Sequence, residues 1–520
     1  MGPDKVRRAV VAVLPESELH LRPRLFAALE AALPVEFTGG RSAGAMAAIA
    51  IGAGAEATGS PTLTFHCGDR GGRPDRVRFA EQGSLDRRIR GLAVLEPLEG
   101  PELGAAEGAA VEVLASSGRR AAWTRTGGPD AADRVASTLP ELEPPETLRG
   151  LLGERPLALI ALIEFLRRVS APYADDPPPL RAAILFDDPN LRWRSYGFID
   201  YRELLAHADR HGYHASIATI PLDASRQHRA TVDLFRGRPD RLSLAFHGND
   251  HLAGELIEVS SDAEGVSIVA QALRRARRLE SRYGLSIDRV MTAPHGMCSA
   301  SVARALGPLG FDALCAIHPL PWTEQPPPER PLAGWGPAEF AAGCAVIPRL
   351  PLSVGAEEIA LRAYLDQPVI LYGHHEDLAD GLDLLAQQAA AVNRLGDAHW
   401  SSLGEIAGSN YSTSLRGGSL RVQPHAHRLR LSVPDTADSI VLERPPDPEE
   451  NFAGWTLGAE VHPFDLPVPA GEGTLDLRLA PSVPIDADAV PAPRPSVWPV
   501  LRRAATETRD RLRPLVRAGA

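Results

Sequence analysis

From Arg181 onward the chain alternates short, almost uninterrupted apolar runs with longer polar segments: RAAILF, YHASIAT, LSLAF, RVMTAP, FDALCAI, CAVIPRL and PVILYG. Strands apolar on both faces suit a parallel sheet covered by helices better than a half-exposed antiparallel one. Helical spacing recurs between the runs, at 199–211, 224–235, 266–283, 299–308, 356–365 and 382–394. The alternation predicts an α/β fold, an irregular (β/α) barrel of about seven parallel strands, with an open doubly wound sheet as the other arrangement of the same elements.

The flanks carry different patterns. Residues 7–14 read as a strand, 22–33 as a helix, and AIAIG, TLTFH and LAVLEP as further strands; with VEVLASSGRRAAWT they predict an N-terminal α/β domain over 1–150. LLGERPLALIALIEFLRRV reads as an apolar helix, stopped by SAPYADDPPPL because proline lacks a backbone donor and restricts the residue before it. Helix and Pro-rich linker fill 151–180, and the barrel is assigned 181–406. Beyond 409, SLRVQP, HRLRLSV, SIVLER, GWTLG, VHPF and TLDLRL, separated by Asp, Gly or Pro, predict a C-terminal β-sandwich-like domain over 409–495. In 496–520 the spacing of Val500, Leu501, Ala504, Leu512 and Leu515 predicts a C-terminal helix that packs its apolar face back onto another domain.

Composition narrows the function classes. With 520 residues the chain exceeds one ordinary core, and its 44% apolar and 23% charged residues are globular in character. A net charge of -11 without a sustained basic surface argues against nucleic acid or an anionic membrane as the default partner. The RRARR of the 266–283 segment reads as a solvated helix face. Cys67, Cys298, Cys315 and Cys344 form no C-x-x-C pair, so small buried apolar roles are expected rather than disulfides or a thiolate metal site. The absence of an 18-residue apolar stretch and of a convincing signal segment sets the expectation of no integral membrane segment and a cytoplasmic location.

Chemistry concentrates at strand ends. ILFDDPN places Asp187 and Asp188 just beyond an apolar strand, where loops of an α/β domain meet a common cleft. Adjacent carboxylates repel, and a cation relieves the repulsion. LSLAFHGNDH places His247 and His251 four apart after another strand; two imidazoles and a carboxylate suit zinc or another first-row divalent ion and leave a position open for water. Helix caps and structural histidines use the same residue types, so neither motif decides alone.

Together these stretches resemble the polysaccharide deacetylase, or NodB-homology, family over roughly residues 181–406. The resemblance implies that Asp187 is the general base, while Asp188, His247 and His251 hold one divalent ion, zinc first, with Co, Ni, Mn or Fe as others. Gly248 stands where the family usually has Ser or Thr. RVMTAPHG resembles an Arg- and Pro-bearing motif, implying that Arg289 orients Asp187, with Pro294 and His295 beside it. VILYGHHEDL resembles a late leucine-and-histidine motif, implying Leu371 with His374 as general acid, and His375 as its alternate. FDALCAIHPLPW adds Asp312, His318 and Trp322 on another rim, with Trp322, Trp193 and Tyr196 as aromatic surfaces for a sugar. The implied function is metal-dependent removal of an acyl group, N-acetyl first, from a sugar or polysaccharide precursor. The other readings are a noncatalytic carbohydrate-binding or assembly protein, and a barrel-type glycoside hydrolase with Glu255 or Glu376 as a second acid.

Overall fold

A computed structural model describes residues 8–42, 44–52, 60–66, 74–100, 103, 111–127, 131–143, 146–317, 333–446 and 452–518. The chain divides into two compact units, Met1–Asp175 with Gln325–Gly336, and Asp176–Glu324 with Pro337–Ala520.

The first unit is built on a nine-stranded sheet. Val35–Gly39, Ala9–Leu14, Ala47–Ile51, Thr62–Phe65 and Ala132–Val135 pair in parallel, and the sheet continues antiparallel through Arg120–Thr126 and Val111–Ser117. VEVLASSGRRAAWT is therefore a hairpin, turned at Gly118 with φ +57°, a conformation glycine adopts without a Cβ penalty. LLGERPLALIALIEFLRRV forms two helices, Leu148–Glu154 and Pro156–Ser170, because Pro156 has no N–H to continue the first. The second helix buries its residues from Leu157 to Ile163.

In the second unit the seven apolar runs all form strands: β1 Arg181–Asp187, β2 Ala215–Thr219, β3 Leu242–His247, β4 Ile287–Thr292, β5 Ala313–Ala316, β6 Cys344–Pro348 with β7 Leu350–Pro351, and β8 Val369–Gly373. All their mutual pairings are parallel. The sheet is nevertheless mixed and ten-stranded rather than a clean seven-stranded parallel barrel, since Glu339–Ala341 adds antiparallel to β6 and His399–Trp400 adds to β1. CAVIPRL is cut at Arg349, so that β6 pairs with β5 and β7 pairs with β8.

Successive strand residues point to opposite faces and enter two cores. Ile184, Phe186, Ile217, Leu244 and Phe246 pack with the helical residues Val269, Leu273, Val302 and Leu306. The alternate residues are smaller, among them Ala183, Ala218, Ala245, Ala313 and Ala345, and join Leu403, Ile406, Leu420, Val422 and Trp455. The C-terminal strands thus share the core of the inner strand face. They form two four-stranded sheets, one containing a parallel pair, Ser419–Pro424 with Ser439–Leu442, so the expected sandwich is not cleanly made.

The last helix, Trp498–Ala518, reverses its expected orientation. Val500, Leu501, Leu512 and Leu515 are more than half exposed, and Ala504 is exposed too, whereas Arg503, Glu507 and Asp510 are buried. Those charges tolerate burial because each is paired, Arg503 with Asp223, Glu507 with Arg192 and Asp510 with Arg509. Cys298, Cys315 and Cys344 are buried and unbridged; Cys67 lies outside the described residues. Among the described residues no helix is long and apolar enough to cross a membrane.

Candidate metal centre

Strand β1 ends on Asp187, 2% exposed, which meets Arg349, 1% exposed, from the break between β6 and β7. Arg349 Nη1 donates to both carboxylate oxygens at 2.8 Å, and Nη2 donates to the Ala293 carbonyl at 2.9 Å. The guanidinium lies 4.4 Å from the Tyr372 ring centroid. Burial pushes the Asp187 carboxyl up, but the Arg349 charge, with His247 and His374 behind it, outweighs this and holds it below the usual carboxylate range. Asp187 is therefore ionised at neutral pH, with lone pairs still available to accept a proton.

Asp188 follows with φ +83°, a left-handed backbone that is strained for a residue with a Cβ. Its Oδ1 lies 3.2 Å from His251 Nε2 and 3.7 Å from His247 Nε2. One ligand atom from each of Asp188, His247 and His251 falls within a 4.8 Å set. The tautomer of His247 follows from its neighbour. Thr292 Oγ1 uses its proton on the Phe246 carbonyl at 2.6 Å, so it can only accept from His247 Nδ1, 3.0 Å away. His247 then carries its proton on Nδ1 and turns the Nε2 lone pair toward Asp188, the arrangement a metal-binding imidazole requires.

Asp188 Oδ1 is buried and has no hydrogen-bond partner among the described residues, a costly state for a carboxylate oxygen unless a cation meets it. Burial raises the Asp188 carboxyl, yet His247, His251, Arg503 and His374 together bring it down to about 2. Burial pushes His247 down to about 4 and His251 below its ordinary value. An ionised carboxylate and two neutral imidazoles are the protonation states that bind a first-row divalent ion. The residues fit the group.

No family model matches the chain, and no curated protein does. Twenty-seven chains of solved structures match. They include the T48 deacetylase with substrate, at 13% identity and TM-score 0.27, covering 44% of this chain and 90% of that one. A Streptococcus mutans CE4 esterase matches at 14% identity and TM-score 0.27, covering 43% and 86%. A family 4 acetyl xylan esterase from Clostridium thermocellum, in complex with a cobalt ion, matches at 12% identity and TM-score 0.26, covering 43% and 89%.

The turn that carries His251 is held by Glu255, whose carboxylate accepts from the backbone N–H groups of Asn249 at 3.2 Å, Asp250 at 2.5 Å and His251 at 2.9 Å. This accounts for Gly248 in place of Ser or Thr. Its φ is +61°, and a Cβ there would sit 2.6 Å from Glu255 Oε2 and 2.8 Å from Pro294 Cγ. Gly248→Ser is expected to lower stability by about 1–3 kcal/mol and to weaken metal binding. Thermal melts with and without added Zn²⁺ check this; a variant as stable and as metal-responsive as the parent contradicts it.

Two consecutive arginines of the C-terminal helix close on the candidate ligands from outside. Arg503 Nη2 donates to the Asp188 carbonyl at 2.8 Å, and Arg502 donates to the His251 carbonyl. Arg503 is anchored by Asp223, Nε to Oδ2 at 2.8 Å, and by the Tyr196 hydroxyl at 3.2 Å. Neither arginine was identified from sequence, where RRAATETRDRLR signals only a charged helix. A second cluster, His375, Glu376 and Asp510, also brings ligand-type atoms within 4.8 Å. Its carboxylates are already neutralised, Glu376 by Arg513 and Asp510 by Arg509, so Asp188, His247 and His251 are the better cation site.

The remaining site residues are placed as follows. Arg289 does not reach Asp187; it pairs with Glu280 at 2.8 Å, and Arg349 occupies the place expected of it. His374 is exposed at the end of β8, near enough for its charge to lower Asp187 and Asp188, while His375 is buried. Pro294 is buried against Gly248, and the His295 ring is 5.5 Å from that of His251. Asp312 precedes β5 and faces Arg478 at 3.6 Å, at the end of the strands away from the ligands. Tyr196 is buried, and the exposed Trp193 lies 5.5 Å from the Arg511 guanidinium. His318 and Trp322 lie outside the described residues.

Proposed function

We propose that the chain is a metal-dependent hydrolase that removes an acyl group, N-acetyl first, from a sugar or polysaccharide precursor, using an irregular (β/α) barrel as its scaffold. The buried, unpartnered Asp188 Oδ1 facing two imidazoles carries the reading. The barrel reading is supported by the break at Arg349, since β6 and β7 carry the parallel pairing from β5 on to β8 and so back to β1.

Asp188, His247 and His251 would hold a divalent ion, which would supply Lewis-acid activation of water and of the acyl carbonyl. The other steps belong to the chain. Asp187 accepts the proton of the attacking water, with Arg349 fixing its orientation and keeping it ionised until then. Thr292 holds His247 in the ligating tautomer. His374, on the open rim, gives a proton to the departing sugar nitrogen as the C–N bond breaks, so the acyl group leaves as a carboxylic acid and the sugar as an amine. A histidine suits that role because its ordinary pKa lies near neutrality.

A glycoside hydrolase needs two carboxylates free to face a sugar. Glu255 is committed to three backbone N–H groups and Glu376 faces Arg513 at the surface, which disfavours that reading. The test is acetate release from N-acetylglucosamine oligomers before and after chelation. Release is expected to stop with a chelator and return with Zn²⁺ or Co²⁺. Release that continues in metal-free protein would sink the reading.

A further inference from the structure

The C-terminal helix Trp498–Ala518 turns its polar face to the protein and its apolar face to solvent. Trp498, Leu501, Leu512, Leu515 and Val516 are 51–72% exposed, and Ala504 and Ala505, also exposed, continue the stripe between them. The spacing 501, 504/505, 512, 515 keeps them on one side of the helix. An apolar stripe of this length is unusual on the free surface of a folded protein and marks a docking face.

Charge identifies what docks. Residues 494–517 hold seven arginines against Glu507 and Asp510 within a chain whose total is -11; Arg502, Arg503 and Arg511 face the protein, and Arg494, Arg509, Arg513 and Arg517 remain for the outer side. Arg513 and Arg517 flank the stripe with their side chains 41% and 53% exposed, in surface pairs with Glu376 and Asp380, and Arg509 beside them is 58% exposed while holding the buried Asp510. Exposed pairs of this kind are weak and exchange readily for other anions. Arginines bordering an apolar stripe reach phosphates while their stems stay with the acyl boundary, and tryptophan favours the same depth. A second copy of the helix would instead bring like-charged rims together.

The same helix touches the metal ligands, Arg503 on the Asp188 carbonyl and Arg502 on the His251 carbonyl. Its inner face thus borders the metal centre while its outer face is apolar, a separation of one helix diameter, about 10 Å. We propose that the outer face of the C-terminal helix docks on an anionic lipid bilayer and, resting on the acyl-sugar reading above, that the acylated sugar is presented from that bilayer on a lipid anchor.

The test uses the full-length protein and vesicles of phosphatidylcholine with or without about 30% phosphatidylglycerol. Wild type should float with the anionic vesicles, at least about tenfold more tightly than with the neutral ones, and should release at about 0.5 M salt. Leu512→Glu, Leu515→Glu, at exposed positions, should keep the parent melting temperature and bind at least about tenfold more weakly; Leu512→Gln, Leu515→Gln repeats the test without added charge. Failure to float, flotation unchanged in both double variants, or a dimer that both variants dissociate while vesicles are ignored would overturn docking.

The anchor is tested separately, with octadecyl N-acetylglucosaminide in the same vesicles and soluble N-acetylglucosamine oligomers. Leu512→Glu, Leu515→Glu should slow release from the vesicles at least about tenfold and leave the soluble rate unchanged. An equal effect on both substrates, or on neither, overturns the anchor. Flotation without acyl release from either substrate removes the acyl-sugar reading, and the anchor with it, and leaves the docking face standing.

Discussion

Asp187→Asn is expected to retain the metal and lose about 10²–10⁴-fold in turnover, the range that a positioned proton acceptor contributes. Asp187 is not among the proposed ligands: its carboxylate lies 3.8 Å from His247 Nδ1, a nitrogen already committed to Thr292. An amide keeps the shape and one acceptor for Arg349 but cannot take the proton of water. Metal content and acetate release, measured on the same preparation, separate the two functions. If metal and activity fell together, Asp187 would be a ligand or a structural prop; if neither fell, the base would have to be sought elsewhere.

The second large effect is expected at Arg349. Arg349→Met removes the positive partner of a fully buried carboxylate and leaves the charge uncompensated, a class of change that costs about 3–5 kcal/mol. The pH dependence has a definite sign. In the parent, Asp187 titrates below its ordinary value of 3.8; the stability it contributes is whole above 3.8 and is lost as pH falls through the depressed value. Without Arg349, burial becomes the dominant influence and pushes the carboxyl up, so the acid limb of the activity profile should move to higher pH. Denaturant unfolding and a rate–pH profile check the two halves. A variant as stable as the parent with an unmoved acid limb would show that Arg349 does not control Asp187.

Much of the parallel sheet of the second unit was legible because its strands are buried on both faces. Runs such as RAAILF and PVILYG are conspicuous when no polar residue is tolerated on either side. Glu339–Ala341 and His399–Trp400 escaped notice because two or three residues carry no periodicity, and Leu350–Pro351 was not separated from the run before it. The motifs that carry the proposed ligands were visible as DD and HxxxH at strand ends, whereas Arg349 was not. Within CAVIPRL it is one polar residue after an apolar run, and its meaning comes from a carboxylate 162 residues away. The expectation that Arg289 served Asp187 failed for the same reason, since Glu280 lies nearer on the preceding helix.

The C-terminal helix shows where reading apolar faces as inward faces breaks down. Its periodicity correctly marked a helix, but the side facing the protein is decided by Asp223, Arg192 and Tyr196, whose charges and hydroxyl satisfy Arg503, Glu507 and Asp510. Sequence periodicity records which residues share a face; it does not record whether ion pairs or apolar contacts await that face. Gly248 is a similar case. It departs from the Ser or Thr that the resemblance implies, and the reason is visible only when Glu255 and Pro294 are seen pressed against it.

Metal content of the purified protein tests the central claim most directly. Elemental analysis of wild type is expected to find about one divalent ion per chain, and the His247→Ala, His251→Ala double variant, folded by circular dichroism, is expected to hold almost none. Equal occupancy in the two proteins would contradict the assignment of Asp188, His247 and His251.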